Sequence, residues 1–479
     1  MRSAAVDGVR TARSAALIFA LVWLSCAWFG SWPWNPNTAV RLFAALSIVE
    51  HGDATITEFG DLTIDKAQFG TQVYSDKAPG MSLMALPAVA AMLKVTGERS
   101  QDIPIMWGHW RMDAYLIPRV WLAAATGPAL LTGLAAMLLF LLGRAVGGSD
   151  AAGAVAAVGY GLGTPAWGWS TTLFGHAAVA ALLVIAVWAI WRGTEAQAAS
   201  LRHAALAGGA LGWAVVVEHP AALFGAIIGL WALWRLRQRE RALPAIGVAV
   251  AAGVIALLPL LAYNLLAFGT PFRLGYEGVV GFDGMKQGLF GLTYPKLEML
   301  YEITVGTRRG LIWVAPLVLP GLAGLAALVW RRETRDVGVL AAALVVTVLL
   351  YNASYAYWDG GNSTGPRHAV PALPFLALGL AALWRWRGVR WPTLATVVLS
   401  VAVNAAIASA EIASGGQGDF PLWTDVIGTR FLNGELRTLP STFGGLTPWA
   451  GFLLWAVLAT ALVALLVRTL SRSADRTHA

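Results

Sequence analysis

The chain has 479 residues, 57% hydrophobic and only 13% charged, with a net charge of +8. Soluble domains carry about 25% charged residues, so a water-soluble globular protein is excluded, and the single cysteine, Cys26, excludes an intrachain disulfide framework and a cysteine metal site. Runs of about 18 or more apolar residues recur along the whole length, which marks an all-α polytopic membrane protein.

Arg2, Arg10 and Arg13 precede the apolar run Ser14–Trp32. The run is long enough to span and no small-residue cleavage site closes it, since Pro33 and Trp34 follow; it is expected to be the first spanning helix, with its N-terminus in the cytoplasm. A large first extracytoplasmic loop, 34–116, comes next. Within it Val40, Leu42, Phe43, Leu46, Ile48 and Val49 form a broad apolar face at helical spacing, which predicts an interfacial helix over Ala39–Val49. Gly52–Lys77 is polar and carries Asp53, Glu58, Asp61, Asp65 and Asp76. Its last part, Gln72–Gly80, packs an acid, a base, a tyrosine and a Pro-Gly corner into nine residues. Met81–Val95 is apolar but short and contains Pro87, so it is expected to be re-entrant or interfacial.

About twelve transmembrane helices follow from the remaining runs: 14–32, 117–143, 150–167, 172–191, 203–217, 220–234, 243–265, 310–330, 337–355, 369–384, 391–411 and 448–467. With both termini inside, the short inner connections hold 19 of the 34 Lys and Arg and 7 of the 26 Asp and Glu. The inner side is then +12 and the outer side −4, as the positive-inside rule requires. Letting Met81–Val95 span would turn every later basic cluster outward. The basic excess thus reflects topology and contact with anionic membrane lipids, with no nucleic acid implied. The whole chain, 1–479, reads as one integral-membrane domain, with further outer loops at 266–309, 356–368 and 412–447.

The inner connections contain no Walker A or dinucleotide-binding sequence, so the chemistry is expected on the outer face. There, Tyr357–His368 is glycine-rich and runs into a helix start at Arg367, where an arginine fork and free N–H groups suit a phosphate. Glu218-His219-Pro220 lies at a hairpin tip and His176 just inside another helix; together they offer ligands for a divalent metal, against a plain helix-tying polar network.

Several phrases resemble landmarks of a bacterial branch of the GT-C glycosyltransferases: Tyr74–Gly80, Phe268-Gly269-Thr270-Pro271 with Gly275-Tyr276, Arg309-Gly310-Leu311 with Ala315-Pro316, and Trp358–Gly361 with Gly365–His368. The resemblance implies a GT-C-like enzyme of the cytoplasmic membrane with an extracytoplasmic active site. It would move a sugar from a polyprenyl-phosphate-linked donor to a lipid, glycan or protein acceptor. In and beside these phrases the candidate substrate contacts are Tyr74, Lys77, Arg308, Arg309, Trp358, Arg367 and His368. GT-C enzymes carry an acid directly after the first helix; this chain has Asn35-Pro36-Asn37 there, with no carboxylate before Glu50.

Sugar transfer needs a carboxylate to take the acceptor proton and positive charge to meet the departing phosphate. Asp65, in the β-prone piece Thr63–Lys66, is the expected base. Asp76 comes next, its pKa expected to be held low by Lys77. Two other readings fit an outer-face polar site: a transporter or flippase, and a polymerase or ligase for lipid-linked glycans. Few charges lie in the spans and no repeat relates the two halves, which weighs against transport.

Overall fold

The computed structural model describes residues 2–30, 35–415 and 418–474, with side chains from residue 8 to residue 471. The Trp32-Pro33-Trp34 end of the first apolar run and Arg476 of the last basic cluster lie outside the described residues. The helices are α1 (Arg2–Trp28), α2 (Pro36–His51), α3 (Gly80–Thr96), α4 (Trp110–Thr126), α5 (Pro128–Gly147), α6 (Asp150–Gly163) and α7 (Ala166–Trp169). They continue with α8 (Gly175–Gly193), α9 (Leu201–Val217), α10 (Ala221–Leu236), α11 (Ala242–Phe268), α12 (Leu297–Thr304) and α13 (Leu311–Val314). The last are α14 (Val318–Trp330), α15 (Arg335–Ser354), α16 (Leu373–Leu383), α17 (Arg390–Ala410), α18 (Leu439–Phe443) and α19 (Pro448–Ala474). One small hairpin, β1 (Ala67–Phe69) with β2 (Gln72–Tyr74), is the sheet among the described residues.

This is an all-α polytopic architecture, and each of the twelve expected segments is helical over most of its length. By length and composition, seven helical stretches are long and apolar enough to cross a membrane, and apolar helices of 10–17 residues accompany them. The lipid-facing character is plainest in α11, whose Leu243, Val250, Val254, Ile255 and Leu258 are all exposed. Inside, close approach is made with small residues, as helix association in lipid favours. Where α14 crosses α16, a Cβ on Gly321 would meet the Leu376 carbonyl oxygen at 2.7 Å.

Two expectations are corrected. The 117–143 span starts earlier and breaks in two, because Pro128 has no N–H to continue α4 and opens α5 instead. The 310–330 span breaks at Ala315-Pro316. The groups freed there are satisfied from α17: Asn404 Nδ2 donates to Val314 O (2.7 Å), and the Leu317 N–H donates to Ser400 Oγ (2.9 Å). The helix expected over Ala39–Val49 is α2, which is packed on more than its apolar face. Its polar Asn37, Arg41, Ser47 and Glu50 are buried along with its apolar residues. Glu50, for example, accepts from the Tyr115 hydroxyl and from Ser100 N (2.8 Å).

Candidate active site

The β1–β2 hairpin sets up the first half of the site. Ala67 pairs with Tyr74; extending that antiparallel register two residues outward sets Asp65 opposite Asp76. Lys77 follows immediately, and its Nζ lies 3.2 Å from Asp65 Oδ1 and 2.7 Å from Asp76 Oδ2. The Pro-Gly corner explains the turn that comes next. A Cβ on Gly80 would meet the Val216 carbonyl carbon at 2.6 Å, so only glycine lets α3 begin against the last turn of α9. That contact brings the Asp76-Lys77 pair beside the α9–α10 turn, where Glu218 sits.

Glu218 is the pivot of the second half. A Cβ on Gly175 would meet Glu218 Cγ at 2.6 Å, so the side chain rests on the first residue of α8. Arg41 Nη2 donates to Glu218 Oε1 at 2.7 Å, with the arginine side chain 2% exposed. Arg41 Nη1 also donates to the Asn37 carbonyl oxygen (3.2 Å) and to Asn37 Oδ1. Asn35 accepts from the Asn37 N–H (2.9 Å), capping the start of α2. The Asn35-Pro36-Asn37 position therefore organises a cation instead of presenting an acid.

These pieces close around a cavity of about 230 Å³ lined by Asn35, Asn37, Arg41, Asp65, Asp76, Lys77, His176, Glu218, Tyr276, Tyr355, Arg367 and His368, among others. A chamber of about 60 Å³ adjoins it, sharing Glu218, His176, Tyr276, Tyr355 and His368 and adding Phe224 and Tyr351. The Arg367 guanidinium lies 4.9 Å over the Phe174 ring, and its Nε is buried without a partner. The His368 ring packs edge-on against His176 (4.9 Å) and Tyr355 (5.2 Å).

Burial sets the electrostatics, and here the expectation for Asp76 is reversed. Its pKa is raised above the ordinary 3.8, first by burial and then by Asp65, and Lys77 only partly opposes this. Its Oδ1 is buried without a partner. Burial also works against the charge on Lys77, but Asp76 and Asp65 outweigh it and raise the lysine pKa. Asp65, expected in a β-prone piece, precedes β1 instead; it is buried and paired to Lys77.

Of the residues expected at the site, Asp65, Asp76, Lys77, Arg367, His368, His176 and Glu218 do line the cavity. Four others support it from outside. Arg309 donates to the carbonyl oxygens of Asp359 (2.9 Å) and Gly361 (2.8 Å), and Arg308 pairs with the Asp359 carboxylate (2.7 Å), so both brace the glycine loop. Trp358 lies under the Arg308 guanidinium. Tyr74 packs on Phe268 and Phe69. The metal reading fails on geometry: no group of three His, Cys, Asp or Glu that could hold an ion occurs among the described residues. Glu218 is taken by Arg41, and His219 packs on Tyr276 instead (5.5 Å).

Arg41 and Tyr355 line the site and were not singled out from sequence, while Tyr276 stood there only within a landmark phrase and Asn37 only where an acid was missing. For Arg41 a signal existed. It is the one basic residue between Asn35 and Val49, in a helix otherwise free of charge over that stretch. An ionisable group inside an apolar segment of a membrane protein is a functional candidate by default.

No family profile matches the chain, and no curated protein does. Among solved structures, the chain is similar to ArnT from Cupriavidus metallidurans, whose crystal structure is bound to undecaprenyl phosphate. The likeness covers 96% of this chain and 72% of that one at 14% identity, with a TM-score of 0.49. Nothing about the site rests on a likeness of that size.

Proposed function

We propose that this protein is a membrane glycosyltransferase of GT-C type. It transfers a sugar from a polyprenyl-phosphate carrier to a lipid, glycan or protein acceptor at the outer face of the cytoplasmic membrane. The observation that carries this reading is the convergence of three carboxylates and three cations on one cavity: Asp65, Asp76 and Glu218 with Lys77, Arg41 and Arg367.

The chemistry assigns itself to those groups. The acceptor hydroxyl oxygen forms a bond to the sugar's anomeric carbon while the bond from that carbon to the carrier phosphate breaks. The bonding pair leaves with the phosphate oxygen, and the acceptor proton passes to a carboxylate. Asp65 is the base in this scheme. Asp76, whose pKa is raised, shares the Lys77 ammonium with it and is the second acceptor for that proton. Lys77 and Arg367 face the phosphate as its charge develops. Arg41 is held by Glu218 and lines the same cavity.

The test is product formation by the purified protein from a polyprenyl-phosphate-linked sugar, with Asp65→Asn and Asp76→Asn variants. A positioned general base contributes about 10²–10⁴-fold, so at least one amide variant is expected to lose that much while still binding donor. Both variants staying within a few-fold of wild type would move the base elsewhere, with Glu218 the next acid to examine. Movement of lipid-linked sugar across liposomes without any new product would replace transfer by transport.

A further inference from the structure

Helix α8 starts at the candidate active site and ends at a second cavity. Its 19 residues rise roughly 28 Å at about 1.5 Å per residue, so the two lie at opposite ends of the bundle. The second cavity, of about 530 Å³, opens between the last turns of α5 and α8, where Arg144 and Arg192 face it together with Trp188 and Trp191. Arg144 is held by Asp150 through Nε (2.5 Å) and Arg192 by Glu195 through Nη1, yet the two side chains remain 44% and 57% exposed. A guanidinium carries five donors, so each pairing leaves donors in hand. A third guanidinium lies over the turn that closes α5. Gly148 has φ +74°, and a Cβ there would sit 3.0 Å from Arg385 Nη1, so the glycine both makes the turn and leaves the arginine its place.

The competing role for these arginines is to answer the partial negative charge at the C-terminal ends of the two helices. That role needs no cavity and no indoles. Both walls are helices apolar enough to span a membrane, so the ligand that reaches this place most readily is already in the bilayer. Tryptophan and arginine at the end of such helices stand at headgroup depth.

We propose that this cavity binds the headgroup of an anionic phospholipid in the leaflet opposite the candidate active site, its phosphate held by Arg144 and Arg192. The full-length protein in non-ionic detergent, offered equal phosphatidylglycerol and phosphatidylcholine, is expected to retain phosphatidylglycerol selectively in native mass spectra. Each arginine near the surface is worth about fivefold in affinity for an anionic lipid. Arg144→Gln/Arg192→Gln should therefore weaken retention by about 25-fold, whereas Arg331→Gln/Arg332→Gln should not change it. Equal retention by the Arg144/Arg192 variant and wild type overturns the proposal. So does wild-type protein that shows no preference for phosphatidylglycerol, a result that needs no variant to fold. Displacement of the lipid by inorganic phosphate at matching concentration would overturn the lipid assignment in favour of a soluble anion.

Discussion

The two ends of α8 hold their charges in different ways. At the Gly175 end the paired ions are buried: Arg41 with Glu218, and Lys77 with Asp65 and Asp76. At the Gly193 end the two arginines are half-exposed and paired with near neighbours in sequence, Arg144 with Asp150 and Arg192 with Glu195. Water screens the second set, so each pair contributes little to stability. The first set has lost most of its water, and Arg41 and Glu218 reach each other across 177 positions of the chain. A chain that keeps so many ions inside an apolar body has a use for them at that place. The comparison therefore separates the end where chemistry is proposed from the end where charge meets the bilayer.

The sharpest way to break the comparison is to strand one buried ion. Arg41→Met leaves Glu218 without its partner, with side chains 2% and 14% exposed in the intact pair. Removing one partner of a buried pair costs about 3–5 kcal/mol. The purified variant should melt markedly earlier, and Arg41→Met/Glu218→Gln should recover part of the loss. A melting temperature equal to wild type in the single variant would show that the site end is wetter than its burial implies.

That pair also marks the limit of what the sequence made legible. Helix positions were readable from apolar runs, because lipid demands them. Asp76, Lys77, Asp65 and Arg367 were readable because they crowd into polar phrases between such runs. Arg41 was not, since its partner lies 177 positions away and its own helix shows a pattern that also fits a surface helix. Arg308, Arg309, Trp358 and Tyr74 went the other way. They stand within the same phrases as true lining residues, and a phrase does not say which side chains turn inward. The low pKa expected for Asp76 weighed the adjacent lysine and could not weigh burial, which is the larger influence.

Next in size is the role of Arg367. A lysine in its place keeps the charge and loses the planar fork, and one charge-assisted hydrogen bond is worth about 1.5–3 kcal/mol. Arg367→Lys is expected to lower transfer about tenfold or more, while Arg390→Lys, in the basic stretch Arg385–Arg390, leaves it unchanged. Equal rates for Arg367→Lys and wild type would return Arg367 to a packing role on Phe174.

The pH dependence sharpens the same contrast. Asp76 must be ionised to accept a proton, and its pKa is raised, so the acid limb of the transfer rate should lie above the ordinary carboxylate range. Lys77 pulls that pKa down; in Lys77→Met the limb of whatever activity remains should move further up. The stability sign follows. A carboxyl whose folded pKa is raised favours the folded state most below its unfolded value near 3.8, and this contribution is lost as pH rises through the folded pKa. Asp76→Asn should therefore flatten the stability profile above pH 3.8. An acid limb at the usual carboxylate position in wild type, unmoved in Lys77→Met, would take Asp76 out of the proton step.

The smallest effect belongs to the other end of α8. Glu195 pairs with Arg192 three residues earlier, and the two side chains are 34% and 57% exposed. Such pairs are worth roughly 0.2–1 kcal/mol, because water screens the attraction and two flexible side chains must be ordered to make it. Glu195→Gln should therefore leave the melting temperature nearly where it was and leave sugar transfer untouched, since the site is the length of a helix away. What the substitution should alter is Arg192 itself. Relieved of its carboxylate, the guanidinium keeps all five donors for a lipid phosphate, and phosphatidylglycerol retention should rise about twofold to fivefold. A large loss of stability in Glu195→Gln would mean that the exposed end is as tightly built as the buried one, and the distinction between the two ends of α8 would fall.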